Sequence, residues 1–496
     1  MPKLAKVRAN DVRQGHTCEA VDRPVIRKVR LSLGGKLYVL IVLLALALLT
    51  AAVPSPAQAG QLHRYEYVFP NNSVYVYDMD HRGALVKHVT VPTSHGVRGA
   101  VASAVTGMLY ISYGSNQGSG GFMLKYNLMT DEVVWTKRYS FGVDSMSVSP
   151  DGNTIYMPTG ESASGGIWKV IDANSGNVTA SIDSGGIGPH NTVVSPDGSR
   201  VYLGPRRTNY LAVASTRTNR VIRKIGPVGG AGGVRPFTIN GAQNLAFITL
   251  SGFLGFQVAD ISTGSILYTV PVHGFPTRGG APSAPSHGIS LSPDEKEVYL
   301  IDSISNYAHV FDVTGLPASA PRQVADIRLL GTLSHNESPC ASNCVNYGWL
   351  HHSRDGRYVF VGDSGDVIDT TLRKTAMTLP AMANSRTQIE IDFEGGVPLP
   401  TYAMNNRSSL GGRARMVSSS SLGERSKNSS NTVTTRSVMD GVPESHYLRQ
   451  VRRSPCSTTS DQNRRCISKL SIPETTISSH RPELTPFGQN IHAARL

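Results

Sequence analysis

Short apolar runs alternate with tight polar turns along the middle of the chain. In residues 188–204, the apolar run 192–194 is followed by the turn Ser-Pro-Asp-Gly at 195–198 and by a second apolar run, 201–203. Proline presets φ and glycine accepts a positive φ, so this turn favours a tight reversal. The segment therefore predicts a β-hairpin. Because a lone hairpin cannot bury its apolar side chains, further strands must pack beside it.

The hairpin pattern recurs along the chain. Equivalent turn positions fall at 107, 152, 198, 241, 295 and 356, and each precedes an apolar run centred on an aromatic residue or alanine. The intervals run from about 43 to 61 residues, and a period of 40–45 residues with strands throughout is typical of propeller blades. A second pair of strands follows each hairpin, which makes four strands per blade. The two longer intervals indicate loop insertions.

The two ends of the repeat region look incomplete. Residues 73–92 read as two strands with no preceding hairpin turn, and residues 387–393 (Thr-Gln-Ile-Glu-Ile-Asp-Phe) read as one more strand after the sixth unit. Pairing the C-terminal strand with the N-terminal strands completes a seventh blade and leaves no free sheet edge. We therefore predict an all-β fold, a seven-bladed β-propeller of four-stranded blades, whose last blade is shared between the two ends of the chain.

The N-terminal 59 residues resemble an export signal. A basic segment up to Lys36 precedes the almost wholly apolar residues 37–53, and Ala-Gln-Ala at 57–59 is a small-residue cleavage site that predicts a mature start at Gly60. The alternative is a retained membrane anchor, although an apolar run of about 17 residues is short for a spanning helix. We expect cleavage, no stable transmembrane segment afterwards, and a location in the periplasm, at the cell surface or outside the cell.

The positive charge of the chain is concentrated at its ends. The formal net charge is +13, yet the predicted propeller domain, 60–404, is close to neutral. A basic face for nucleic acid is therefore not expected. Residues 405–496 are rich in serine and arginine and show no period of 2 or 3.6, so we expect a disordered basic tail. An altered reading frame in this region is the other explanation, because the repeat stops abruptly there.

A resemblance to a known family rests on the repeat itself. The string Val-Ile-Asp-Ala-Asn-Ser-Gly-Asn-Val at 170–178, the Ser-Pro-Asp-Gly turns and the strand Val-Tyr-Leu at 201–203 resemble the YVTN-type β-propeller repeat family. The resemblance covers about residues 66–400. It implies an exported or surface-located bacterial or archaeal propeller. It implies little about activity, since propellers serve as binding modules, scaffolds and enzymes.

Candidate functional residues fall where the inner strands begin. The eighth residue before each turn position is Asp144, His190 or His287 in three units and glycine in the other three. Inner strands converge on the central channel, so these three side chains are expected to meet, with four further residues nearby: His95, Arg235, His351 and His352. Imidazoles with a carboxylate suit a divalent metal such as Zn²⁺ or Cu²⁺, or acid–base chemistry. The alternative is that they hydrogen-bond neighbouring blades.

Two cysteines lie in the long insertion before the sixth hairpin. Cys340 and Cys344 are expected to form a local disulfide if the chain is exported. Their Cys-x-x-x-Cys spacing, followed by valine, lacks the Cys-x-x-Cys-His pattern of covalent haem attachment, so no covalent haem is expected.

The functional prediction stays broad. The leading hypothesis is a monomeric exported binding module, with an unknown small molecule or protein held at the channel face or the loop face. The alternative is a metal-dependent hydrolase, lyase or oxidoreductase at the channel mouth, with His190, His287 and Asp144 as candidate ligands. A third hypothesis is a passive envelope scaffold. Sequence alone does not decide whether the chain is an enzyme.

Overall fold

The described part of the chain is built almost wholly of antiparallel β-strands. The computed structural model describes residues 60–229, 232–277, 284–331 and 348–399. The predicted signal peptide, the predicted tail and the pair Cys340 and Cys344 lie outside these residues. Within them, the one helix is a 3₁₀ turn at Pro380–Asn384. No helix in the same ranges is long and apolar enough to span a membrane.

Six sheets follow one another in chain order, each with four strands hydrogen-bonded in sequence. The first blade contains β4 (Val97–Ser103), β5 (Met108–Gly114), β6 (Gly121–Asn127) and β7 (Glu132–Arg138). The second contains β8 (Ser147–Val148), β9 (Thr154–Pro158), β10 (Ile167–Asp172) and β11 (Val178–Asp183). The third contains β12 (Pro189–Val194), β13 (Arg200–Pro205), β14 (Leu211–Ser215) and β15 (Arg220–Ile225). The fourth blade contains β16 (Val234–Ile239), β17 (Leu245–Leu250), β18 (Gly255–Asp260) and β19 (Ile266–Pro271). The fifth contains β20 (Ile289–Leu291), β21 (Glu297–Asp302), β22 (Tyr307–Asp312) and β23 (Arg322–Arg328). The sixth contains β24 (Leu350–His352), β25 (Tyr358–Val361), β26 (Asp366–Asp369) and β27 (Lys374–Thr378).

The seventh sheet, the closing blade, joins the two ends of the propeller. It contains β1 (Leu62–Val68), β2 (Ser73–Asp78) and β3 (Ala84–Thr90) from the N-terminal side, and β28 (Gln388–Glu394) with the short β29 (Val397–Pro398) from the C-terminal side. The strand order is β29-β28-β1-β2-β3, and β28 pairs with β1 along its whole length. The predicted seven-bladed propeller with a shared blade is confirmed. Strand β1, which the sequence pattern did not reveal, is the one that accepts β28.

Local hydrogen bonds explain why the hairpins form where the turns predict. In the third blade, the Ser195 hydroxyl donates to Asp197 at 2.6 Å, the Gly198 N–H donates to the Ser195 carbonyl, and Gly198 has a φ of 70°. The same serine-to-aspartate bond closes the turns at Ser149, Ser292 and Ser353. These side chains satisfy backbone groups that the reversal leaves unpaired.

The first strand of each blade lies at the centre of the ring. The first strands of successive blades from β4 to β24 contact one another, and β28 contacts β4. Every residue of β12 and β16 is buried, whereas the outer strands β3 and β7 expose most of their residues. The loops that enter the inner strands and the loops between second and third strands share one side of the ring, which we call the entry face. The candidate residues Asp144, His190 and His287 lie at this level.

Candidate functional site

Asp144 and His190 form a buried pair between the second and third blades. His190 lies on inner strand β12, Asp144 lies just before β8, and Nδ1 of His190 donates to Oδ2 of Asp144 at 3.0 Å. The other aspartate oxygen, Oδ1, accepts the backbone N–H of Ser145 at 2.9 Å. Asp144 is 2% exposed and His190 is 4% exposed. The pair therefore orients the imidazole ring firmly, and two of the predicted channel residues are in direct contact.

His287 and Trp349 extend this cluster around the inner strands. The ring of His287 lies 5.9 Å from that of His190, centroid to centroid, and 4.4 Å from that of Trp349. Both residues are buried. The structure thus brings the three strand-entry residues predicted from the sequence to one place. Trp349 was missed, although it directly follows the strand-entry glycine Gly348 of the sixth unit.

Glu161 is the functional candidate that sequence reasoning did not find. It lies in the loop between β9 and β10, and its carboxylate, that of Asp144 and a ring nitrogen of His190 lie within 4.8 Å of one another. Its Oε1 accepts from the Asn116 amide at 2.9 Å, and its Oε2 lies 3.0 Å from Arg206 and 3.8 Å from Arg235. The loop between the second and third strands of a blade lies on the entry face, so the position of Glu161 in such a loop is the sequence signal that could have indicated it.

A cleft of about 870 Å³ opens on the entry face beside this cluster. Loops of the second, third and fourth blades line it with Glu161, Ser162, Gly185, Gly186, Ile187, Arg206, Arg207, Thr208, Asn209, Gly232, Gly233, Arg235 and Ser251. We call it the arginine cleft, because three arginines face one acid among its described lining residues. Arg235 is buried and donates to the Ser251 hydroxyl at 2.8 Å, so the predicted channel residue Arg235 belongs to the cleft.

Two of the strand-entry glycines, Gly233 and Gly348, pack directly against another backbone segment. A Cβ atom on Gly233 would lie 1.4 Å from the Arg206 carbonyl oxygen, and one on Gly348 would lie 1.7 Å from the Gly362 carbonyl oxygen. These glycines allow one backbone to pass directly against another. Gly233 thereby keeps the Arg206 loop close to β16 and shapes the wall of the arginine cleft.

His95 lies at the edge of the entry face rather than in the central cluster. It is exposed, has a φ of 66°, and lines a smaller cavity of about 280 Å³ together with Arg98 and Asn116. Asn116 also binds Glu161, so this small cavity neighbours the arginine cleft.

His351 and His352 make their side-chain contacts with other residues, outside the cluster. Nε2 of His351 contacts Oε1 of Glu66 in the closing blade at 2.9 Å. His352 contacts the Ser290 hydroxyl at 2.8 Å, and burial, reinforced by the nearby His351, lowers the pKa of His352 to about 3. It is therefore a neutral ring at physiological pH. These contacts join neighbouring blades, which is the structural role that the sequence left open for such histidines.

A second cavity lies on the opposite side of the ring. It has a volume of about 710 Å³, and four acids line it beside His352 and Arg354: Asp294, Glu295, Glu297 and Asp355. The described lining residues of these two cavities therefore carry opposite excess charge, basic on the entry face and acidic on the other.

Comparisons with known proteins give no family assignment. No family model and no curated protein matches the chain. Among 1467 matching chains of solved structures, one belongs to a mitotic checkpoint complex, with 14% identity, a TM-score of 0.45 and coverage of 60% of this chain and 80% of that chain. Dihydro-heme d1 dehydrogenase NirN in complex with DHE has 14% identity, a TM-score of 0.44 and 66% coverage of each chain. A functionally unknown protein from Desulfotomaculum acetoxidans DSM 771 has 10% identity, a TM-score of 0.49 and coverage of 66% and 98%.

Those similarities carry no argument about activity, because the identities and TM-scores are low. The seven-bladed architecture follows from the strand pairing of the chain itself. Function has to be argued from the residues of the entry face.

Proposed function

We propose that the chain is an exported propeller of the YVTN type that binds a small anionic ligand in the arginine cleft. The observation that carries the binding proposal is the charge of the cleft: Arg206, Arg207 and Arg235 line it, against the single described acid Glu161. Guanidinium groups pair bidentately with carboxylates and phosphates, and they remain charged at any physiological pH. A ligand that carries such groups therefore fits this surface best.

The size and fixed shape of the cleft support the same proposal. A volume of about 870 Å³ lies within the range of roughly 300–1,000 Å³ that is usual for small-molecule sites. Arg207 is held in place by donating to the carbonyl oxygens of Ala163 at 2.7 Å and Ser162 at 3.3 Å. Those carbonyls position the guanidinium without cancelling its charge, so less ordering is required when an anion binds.

The test is thermal melting of the full-length protein with citrate or inorganic phosphate, at constant ionic strength, against glucose as a neutral probe. We expect a saturable rise of the melting temperature with at least one anion, because a ligand bound to the folded state stabilises it. Arg206→Gln and Arg207→Gln should each weaken apparent affinity about tenfold, equivalent to about 1.4 kcal/mol.

The control variant is Arg220→Gln, which removes an exposed arginine from outer strand β15. It should leave the anion response unchanged. A response to anions that survives in the double variant of Arg206 and Arg207, or no response that exceeds glucose, would contradict the proposal.

A metal-dependent hydrolase, lyase or oxidoreductase is the second candidate function. The observation in its favour is the grouping of Asp144, Glu161 and His190. Such an enzyme needs a bound metal before any reaction can be assigned to it. Binding of a metal ion by Asp144, Glu161 and His190 can be measured without a known substrate, so it is a hypothesis separate from catalysis.

A further inference from the structure

We propose that Asp144, Glu161 and His190 form a binding site for a divalent transition metal, with Zn²⁺ as the ion to test first. One ligand atom of each residue lies within 4.8 Å of the other two. The proposal goes beyond anion binding in the arginine cleft and does not depend on it. The three residues come from separate segments of the second and third blades, so no short sequence motif announces the site.

The donor set fits an ion of the zinc class. One imidazole and two carboxylates are ligands that Zn²⁺ accepts at about 2.0–2.2 Å, and three protein ligands leave a fourth position open. Asp144 and His190 are buried, whereas Glu161 is half-buried and lines the arginine cleft. The open position would therefore be supplied from the cleft side.

The contact between His190 and Asp144 indicates which ring nitrogen the metal would use. Nδ1 lies 3.0 Å from Oδ2 of Asp144, so this nitrogen faces a carboxylate that is itself a proposed ligand. A metal ion would take the place of the hydrogen between these two atoms, and the ring hydrogen would then lie on Nε2. Nε2 is buried and has no hydrogen-bond partner among the described residues, so no contact there opposes this tautomer.

His287 offers a further imidazole beside the cluster. Its ring centroid lies 5.9 Å from that of His190. Two imidazoles on one tetrahedral Zn²⁺ would have centroids roughly 5 Å apart, given metal–nitrogen distances of about 2.0–2.1 Å. The two rings are therefore spaced nearly as two imidazole ligands of one ion would be.

Two arginines compete with the metal for Glu161. In the structure, Arg206 and Arg235 lie 3.0 Å and 3.8 Å from its Oε2 atom. A metal ion must replace at least the closer contact, because like charges repel at this distance. Removing Arg206 should therefore strengthen metal binding, while the same change should weaken anion binding. The two proposals thus make opposite predictions for one variant.

The experiment is titration of chelator-treated full-length protein with ZnCl₂ by calorimetry, repeated with Co²⁺ for its visible absorption spectrum. We expect a site that saturates at one equivalent and a tetrahedral Co²⁺ spectrum. His190→Gln and Glu161→Gln should each weaken this binding at least tenfold, and Arg206→Gln should tighten it severalfold. Glu161 is partly exposed, so its variant reports on the site even if the His190 variant does not fold.

The matched control is His81→Gln. Nδ1 of His81 contacts Oδ2 of Asp78 at 2.9 Å, which repeats the histidine–aspartate pair at an exposed position of the closing blade. This variant should bind metal like the parent protein. The chain has 15 histidines, so binding that is unchanged in both Glu161→Gln and His190→Gln would be adventitious and would overturn the proposal. Absence of saturable binding in the parent protein would overturn it as well.

Discussion

Three carboxylates are buried together where the two ends of the propeller meet. Glu66 on β1 lies directly opposite Glu390 on β28, and Asp392 follows two residues later on the same strand. The charged or titratable groups around them are Arg64, His351, Arg354 and Asp355. Burial raises the pKa of Glu66 and of Glu390, the latter with a contribution from Asp392, and burial raises the pKa of Asp392 to about 6.

Glu390→Gln should stabilise the protein at alkaline pH. Since the folded-state pKa values are raised, ionisation destabilises the fold. This contribution therefore favours folding at low pH and is lost as pH rises from the ordinary carboxyl range near 4 through the raised folded-state pKa values. The glutamine side-chain oxygen can still accept the hydrogen bond that the Arg354 backbone N–H donates to Glu390. We expect a gain of about 1–3 kcal/mol at pH 8 and a smaller one at pH 5, measured by urea denaturation.

The control for this change is Glu394→Gln, at the exposed end of the same strand. It should alter stability by less than about 0.5 kcal/mol at either pH. Equal destabilisation by Glu390→Gln at pH 5 and pH 8 would show that the carboxylate is needed for packing or hydrogen bonding rather than being a source of repulsion.

At the scale of elements, β28 is the strand that closes the ring. It pairs with β1 and contacts the inner strand β4 of the first blade. Without it, β1 would present an unpaired edge at the centre of the molecule, and the apolar cluster in which Ile389 and Ile391 pack against the closing blade and the first blade would be exposed.

A chain that ends at residue 386 should therefore lose cooperative unfolding, whereas a chain that ends at residue 404 should keep it. The first truncation removes β28, and the second removes only the residues that we expect to be a tail. Calorimetric melting together with brief proteolysis distinguishes them. A sharp melting transition within about 2 °C of the parent in the shorter chain would contradict the role given to β28.

At the scale of the whole molecule, the positive charge of the chain lies mostly outside the described propeller residues. The net charge is +13, yet the propeller itself is close to neutral and divides its charge between a basic entry-face cleft and an acidic cavity on the other side. We propose that the basic N-terminal segment serves in export.

Export should leave a mature chain that begins at Gly60. Expression in a bacterial host, followed by mass spectrometry of the periplasmic fraction, measures the N-terminus directly. Replacing Ala57 and Ala59 by bulky residues should block cleavage, because the processing site requires small side chains. Recovery of the parent chain in the membrane fraction with residues 1–59 still attached would favour the anchor.

The sequence by itself determined the ring of blades. Turns such as 195–198 and the apolar runs beside them act over a few residues, so their hydrogen bonds and strand register can be predicted locally. The recurrence of that unit then predicts a propeller, because repeated hairpins bury their apolar faces only by packing on one another. Strand β1 escaped prediction because it has no hairpin turn before it, and its partner β28 lies more than 300 residues later.

Only the tertiary structure decided which polar groups meet. The shared repeat position predicted that Asp144, His190 and His287 lie at one level, but Glu161 and Arg206 reach them on loops whose paths no repeat dictates. The same holds for Glu66, Glu390 and Asp392, which come together only when the ring closes. Contacts between distant segments depend on how whole blades pack, and the charges that result set the chemistry of the site.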